Sequence, residues 1–251
     1  ITATVTVTIV DKKAGKVAML KLVKVDKKYR GAGNYAVRNL DLEVRPGEIF
    51  GFLGPNGAGK TTTIKMIVGL LQPSRGTITV NGFDLKQNPL EVKKSCGFVP
   101  DNPNLYPRLT GLEYLNLIGD VFGVDRATRS RRLEYYLNMF QLTAAVGDLI
   151  QSYSQGMQQK LALTAALLPA PALFILDEPM VGLDPKSTHL FKEVMHSHVE
   201  QGNTVFFCTH ILEVAEKICH RVGIIHQGQL IACGTMEELR RGAEQSLEKV
   251  F

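Results

Sequence analysis

The 251-residue sequence has no long apolar run. Its most apolar stretch, Leu161 to Leu176, is broken by Pro169 and Pro171 and runs straight into Asp177 and Glu178. A membrane-spanning helix needs about 20 apolar residues, so a span is not expected. Redox or metal spacing of cysteine is also missing: Cys96, Cys208, Cys219 and Cys233 form no C-x-x-C pair and no zinc-type pattern with histidine. Three of the four sit in or beside apolar segments, so buried free thiols in a reducing compartment are expected. No signal peptide, internal repeat or low-complexity tract is visible. Neither sign of charge dominates, with 29 Lys plus Arg against 24 Asp plus Glu. The net charge of +5 suits an anionic partner such as nucleic acid, nucleotide or a membrane surface, yet the basic residues are scattered. With 45% hydrophobic and 21% charged residues the composition is that of a globular protein, not of a disordered, collagen-like or coiled-coil chain. The length allows one large domain or two small ones.

The pattern that is present alternates short apolar runs with helical periodicity. Ile1 to Val10 alternates at period two, like a strand, before the polar stretch Asp11 to Lys16. Met19 is a natural start, which makes residues 1–18 either an appended remnant or an extra edge strand. Glu48 to Leu53 reads as a buried strand. A helix with Ile64, Ile67, Val68 and Leu71 at i, i+3, i+4 and i+7 follows it, with Pro73 beyond its end. Thr77 to Val80 reads as a strand entering an Asn81-Gly82 turn. From about Pro103 to Leu168 the strand-like runs give way to helical spacing, with Leu112, Leu115 and Ile118, then Leu133, Tyr136, Leu137 and Phe140. This segment is expected to be a helical insertion. Strand patterns return at Leu173 to Leu176, Thr204 to Cys208 and Val222 to His226, the last passing through Gln227-Gly228 into Leu230 to Cys233 as a hairpin. Buried strands alternating with helices predict a largely parallel α/β sheet.

Two motifs carry chemistry. Gly54-Pro55-Asn56-Gly57-Ala58-Gly59-Lys60-Thr61 matches G-x-x-x-x-G-K-[ST] between a buried strand and an amphipathic helix, and Thr62 continues it. Glycines let backbone N–H groups converge on phosphate oxygens at a positive helix end. Lys60 supplies charge to the β and γ phosphates, and the Thr61 hydroxyl is placed to ligate Mg²⁺. The second motif, Leu173 to Glu178, is an apolar strand delivering two carboxylates at its carboxyl end, where ligands bind in open α/β sheets. Asp177 is expected to hold Mg²⁺, and Glu178 to polarise the attacking water or accept its proton.

With these motifs in place, the chain from about Met19 resembles the ATP-binding subunits of ABC transporters. Tyr153 to Lys160 (YSQGMQQK) is similar to the signature segment of that family, Gly182-Leu183-Asp184-Pro185 to its D-loop, and Thr209-His210 to its switch histidine. Tyr29 sits where the family keeps an aromatic that stacks on adenine. The resemblance implies a P-loop NTPase (RecA-like) core with a mostly parallel sheet, an N-terminal antiparallel β subdomain and a helical subdomain at about 103–168, together one ATPase domain over 19–251. It implies ATP and Mg²⁺ as ligands, and a head-to-tail dimer in which Ser154 and Gly156, at the start of an amphipathic helix, cap the γ-phosphate held by the opposing subunit. It implies that His210, just past its strand, contacts the γ-phosphate of this chain's own ATP and orients the water near Glu178. The dimer is a homodimer or a heterodimer with another ATPase subunit. The implied work is to drive a separate transmembrane permease from the cytoplasmic face of the membrane, with no nucleic-acid partner.

Two departures from the family pattern stand out. Asp101 follows Gly97 to Pro100 where many members carry a Mg²⁺-sensing glutamine, so it is a metal-sensing candidate with a shorter, anionic side chain. The signature carries Tyr153, Gln155 and Met157 where the commonest form has Leu, Gly and Gln, while keeping the serine and second glycine. Both departures, and the ending Ser246 to Phe251, resemble the ABC-2 type exporter branch. Arg126, Arg129, Arg131 and Arg132 are expected to form a solvated helix face, or alternatively a contact with the membrane partner or anionic headgroups. Tyr135, Tyr136 and Phe140 are expected in the core of the insertion. One rival reading is a soluble ABC-type ATPase acting on nucleic acid or ribosomes, but such proteins usually carry two cassettes and only one phosphate loop is present. A nucleotide kinase should lack the signature, and a GTPase should show an N-K-x-D segment that is absent.

Overall fold

The structure, a computed structural model, describes residues 18–180 and 182–242; the alternating stretch Ile1 to Val10 and the ending Ser246 to Phe251 lie outside the described residues. Its first strands, β1 (Leu20–Lys27) and β2 (Val37–Val44), pair antiparallel, and β4 (Arg75–Val80) pairs with the other edge of β1. β5 (Phe83–Asp84) follows, and among the described residues this sheet has four strands in the order β2-β1-β4-β5. The turn between β4 and β5 is Asn81-Gly82, both at positive φ, as a two-residue hairpin requires.

The second sheet has six strands among the described residues. β3 (Ile49–Leu53), β6 (Cys96–Val99), β7 (Leu173–Asp177), β8 (Thr204–Thr209) and β9 (Arg221–His226) are parallel, and β10 (Gln229–Gly234) returns antiparallel from β9 through Gln227-Gly228. The order is β10-β9-β3-β8-β7-β6. β3, β7 and β8 are buried along their whole length, as strands covered on both faces must be. Their side chains divide at period two between two cores. Phe50, Phe52, Phe206, Cys208, Leu173 and Ile175 face the antiparallel sheet and α1 (Lys60–Ile67). Ile49, Phe174, Leu176, Val205 and Phe207 face the helical side.

That side is built from α3 (Gly111–Val121), α4 (Arg126–Met139), α5 (Gln155–Leu167) and α6 (Pro185–Glu200), with a 3₁₀ turn at Ile150–Ser152. α2 (Pro89–Ser95), α7 (Leu212–Ile218) and α8 (Met236–Gly242) complete the order of elements. Thr110 starts α3 with a reciprocal capping box to Glu113.

Four sequence expectations need correction. The first helix stops at Ile67, because Val68 leaves helical geometry and Gly69 turns at φ +73, leaving Leu71 as a half-buried packing residue after it. α5 is not amphipathic along its length: its first turn is exposed to half-buried, and Leu161, Ala162, Leu163, Thr164, Ala165 and Leu167 are buried all round the helix. The arginine run is not one solvated face. Arg129 bonds Asp120 at 2.6 Å and Val124 O at 3.0 Å, and Arg132 donates to Leu168 O at 2.7 Å, so two of the four tie α4 to its neighbours while Arg126 and Arg131 stay exposed. Phe140 is core, but Tyr135 is exposed, its ring meeting Tyr136 edge-on. The four cysteines are free, Cys96 and Cys208 buried, Cys219 and Cys233 half-buried.

Candidate active site

Because β3, β8 and β7 are neighbours, the loops at their carboxyl ends converge. The loop after β3 turns into α1 at Gly59, whose φ of +110 is open only to glycine at low cost, and a Cβ there would lie 2.6 Å from Ala36 O. Gly59 provides no side-chain cap, so the first N–H groups of α1 face the loop. The buried Lys60 donates from Nζ to Gly54 O at 2.5 Å and to Pro55 O at 3.3 Å. A cavity of about 160 Å³ lies above, lined by Ala36, Pro55, Asn56, Gly57, Gly59, Lys60, Thr61 and Thr62. Converging amides, a helix start and a lysine at the cavity floor form an anion cradle. Tyr29 stands beside it with its hydroxyl 3.3 Å from Thr62 Oγ1 and its ring exposed, which leaves a face for stacking.

Thr61 Oγ1 donates to Asp177 Oδ2 at 2.9 Å. Asp177 is buried at the end of β7, and burial pushes its carboxyl up from the ordinary range; the Thr61 bond opposes this, the charges of Asp101 and Glu178 add to it, and Lys60 offsets part of it. A carboxylate held this way favours a cation. Among the described residues no cluster of three His, Cys, Asp or Glu could hold a metal alone. The donor set is therefore one hydroxyl and one carboxylate beside an anion cradle, which fits Mg²⁺ completed by phosphate oxygens and water. Asp101 is exposed and its Oδ1 accepts from Asn102 N; it makes no hydrogen bond to Thr61 or Asp177 and reaches the pair only through its charge.

Glu178 has φ +48, an uncommon backbone for glutamate, while its N–H donates to Cys208 O at 3.0 Å. Its carboxylate is fixed at both oxygens: Oε1 lies 2.7 Å from His210 Nδ1, and Oε2 accepts from Thr209 Oγ1 at 3.1 Å. Thr209 Oγ1 also accepts from Ile211 N at 3.1 Å. Sequence reasoning missed Thr209 as a partner of Glu178; its only signal was its place before His210. The arrangement aims a carboxylate outward from a rigid strand end, as a general base needs.

Ser154 caps α5 by accepting from Met157 N at 3.3 Å, and is exposed. Tyr153 is buried behind it, donating to Ala145 O at 2.7 Å. Neither Ser154 nor Gly156 lines the phosphate cavity of its own chain. Gly156 lies against the segment after Glu178, where a Cβ would be 2.9 Å from Gly182 O.

Comparison with known proteins agrees with this geometry. The family model described as ABC transporter matches residues 37–181, more than half of the chain. A second model, described as an AAA domain, matches residues 148–216. The chain is 38% identical over 222 residues to the Nod factor export ATP-binding protein I of Cupriavidus metallidurans, covering 88% of this chain and 73% of that one. It is 40% identical to the linearmycin resistance ATP-binding protein LnrL of Bacillus subtilis over 81% of this chain and 65% of that one, and 38% identical to NatA of the same organism over 81% and 83%. A solved structure described as the ATP-binding subunit of an ABC transporter superposes with a TM-score of 0.87 at 34% identity, covering 92% of this chain and 97% of the other. The dimeric, post-hydrolysis structure of the ATP-binding cassette MJ0796 with ADP and Pi superposes with a TM-score of 0.78 at 27% identity, covering 87% and 99%. The chain belongs to the ABC transporter family, as an ATP-binding and ATP-hydrolysing subunit.

Proposed function

We propose that this ATPase hydrolyses ATP at the interface of a head-to-tail dimer and drives a separate transmembrane permease in the exporter direction, from the cytoplasmic face of the membrane. The observation that carries the reading is the convergence of two bonded pairs, Thr61 with Asp177 and Glu178 with His210, at neighbouring strand ends beside the phosphate cradle. The loop amides of residues 54–59 and Lys60 bind the phosphates, with Thr62 at the cavity wall, and Tyr29 stacks on the base. Thr61 and Asp177 hold Mg²⁺, with Asp101 adjusting the charge around them. Bound there, the metal neutralises charge on the phosphates. Glu178 takes the proton of the attacking water, oriented by His210 and Thr209. Ser154 and the Gly156 amide meet the γ-phosphate bound by the opposing subunit, which fits the exposure of Ser154 and the place of both residues outside their own cavity. The dimeric state of the MJ0796 cassette supports the sandwich. The export and resistance roles in the names of two relatives, with the signature departures, support the exporter reading. Among the described residues no helix is long and apolar enough to cross a membrane, which suits a separate permease chain.

The test is Glu178→Gln. It should bind ATP with unchanged affinity, lose turnover by about 100-fold or more, and accumulate as an ATP-bound dimer in sedimentation velocity. Full hydrolysis by this variant overturns the base assignment. Co-purification of a multi-span membrane protein with the tagged chain tests the permease.

A further inference from the structure

α5 begins at the exposed Ser154 and is buried from Leu161 onward, so the direction of its free end depends on what holds the first two turns. Among the described residues three contacts of these turns reach the segment behind Glu178, while Met157 packs into the helical core and Gln158 Nε2 donates to Tyr153 O at 3.3 Å. Gln159 Nε2 donates to Pro179 O at 3.2 Å, Gly156 packs against Gly182 O, and Lys160 Nζ lies 3.2 Å from Asp184 Oδ2. The Lys160 side chain is only 14% exposed, so the ammonium is held in place. Asp184 already caps α6 without Lys160: Oδ1 accepts from Ser187 N at 2.9 Å and Oδ2 from Ser187 Oγ at 2.5 Å. What Lys160 adds is a bond between two elements. Its partner is half exposed, and ion pairs of that kind contribute little to stability.

We propose that Lys160 is a positioning residue, tying the signature end of α5 to Asp184 so that the surface reading the opposing subunit's phosphate moves as one body with the segment behind this chain's own Glu178. The inference rests on the dimer reading above. It requires that loss of the ammonium leave nucleotide binding at Lys60 intact while misaligning Ser154 and Gly156 at the interface, a displacement to which turnover is sensitive.

The experiment uses the full chain with Lys160→Met, Lys160→Arg, Asp184→Asn and the Lys160→Met/Asp184→Asn double variant. Asparagine keeps the cap of α6 and removes the charge. Lys160→Met should bind a fluorescent ATP analogue within about twofold of wild type, lose about tenfold in kcat, and weaken ATP-driven dimerisation about tenfold in the Glu178→Gln background. Lys160→Arg should restore most of both. Asp184→Asn should match Lys160→Met, and the double variant should be no worse than either single one, because the two residues form one link. Wild-type turnover and dimerisation in Lys160→Met, equal losses in the Met and Arg variants, or additive losses in the double variant overturn the proposal. Wild-type turnover per molecule that is independent of protein concentration overturns the dimer reading itself, and the proposal with it.

Discussion

Glu178 concentrates the demands of the site in one residue. Its φ of +48 is an unfavourable conformation for a side chain with a Cβ, and it persists because the surrounding bonds fix it: the amide to Cys208 O, one carboxylate oxygen to Thr209 and the other beside His210. His210 is half exposed and Thr209 is buried, so the threonine is the fixed side of this clamp. Thr209→Ala deletes the donor to Glu178 and leaves the Ile211 amide without its acceptor. The expected result is a kcat about tenfold lower with KM for ATP unchanged, because an orienting bond worth about 1.4 kcal/mol acts only where the water is attacked. Thr209→Ser keeps the hydroxyl and should recover most of the rate. Steady-state ATPase assays on both variants decide it; a rise in KM at constant kcat places Thr209 in binding instead.

At the scale of elements, α6 shows how a helix can be built around a residue that resists protonation. His198, in its last turn, is 6% exposed, its ring stands edge-on to Phe174 at 5.8 Å, and its buried Nε2 has no hydrogen-bond partner among the described residues. Burial pulls its pKa down to about 4, against a smaller opposing contribution from the backbone bond at Pro171. The neutral ring is the folded form, so the unfolded chain binds the extra proton between the two pKa values. The stability contributed is complete above an unfolded pKa of about 6.5 and is lost as the pH falls toward about 4, some 2 kcal/mol at about pH 5. Urea unfolding at about pH 7.5 and about pH 5 should show His198→Gln losing less stability than wild type by about that amount; equal losses contradict it. None of this was legible in the sequence, where His198 is one of six histidines. The legible elements were those whose burial is uniform or strictly periodic: the runs of β3, β7 and β8, and the helical spacing of α3 and α4. The order β2-β1-β4-β5 was not, because pairing between distant strands leaves no local pattern. For the site, Lys60, Thr61, Asp177 and Glu178 stand in contiguous motifs and were legible. Thr209 and the Lys160–Asp184 link depend on which loops the sheet order brings side by side, and that order is a property of the fold.

At the scale of the whole molecule, the phosphate loop is the place where the layers meet. Thr61 bonds Asp177 on β7, Gly59 approaches Ala36 ahead of β2, Gly228 between β9 and β10 donates to Ala58 O, and Arg38 N donates to Gly228 O. Both sheets therefore touch a single loop of residues 54–59, and a ligand seated on it is coupled to the global unfolding reaction. A ligand that binds only the folded state at about 100 times its Kd stabilises by about 2.7 kcal/mol. For a chain of this size each kcal/mol raises Tm by about 2–4 °C, so Mg-ATP should raise it by about 5–10 °C. Lys60→Ala removes the charge at the floor of the cradle and should abolish the shift while changing the Tm of the free protein by less than that shift, because among the described residues Lys60 Nζ hydrogen-bonds the loop carbonyls of Gly54 and Pro55. ATP with a chelator should give a smaller shift than Mg-ATP, since the buried Asp177 carboxylate then faces the phosphates without a cation between them. Differential scanning calorimetry on the two proteins with and without Mg²⁺ measures each term. An equal shift with and without the metal would remove Thr61 and Asp177 from the metal site, and a full shift in Lys60→Ala would remove the lysine from the phosphate site.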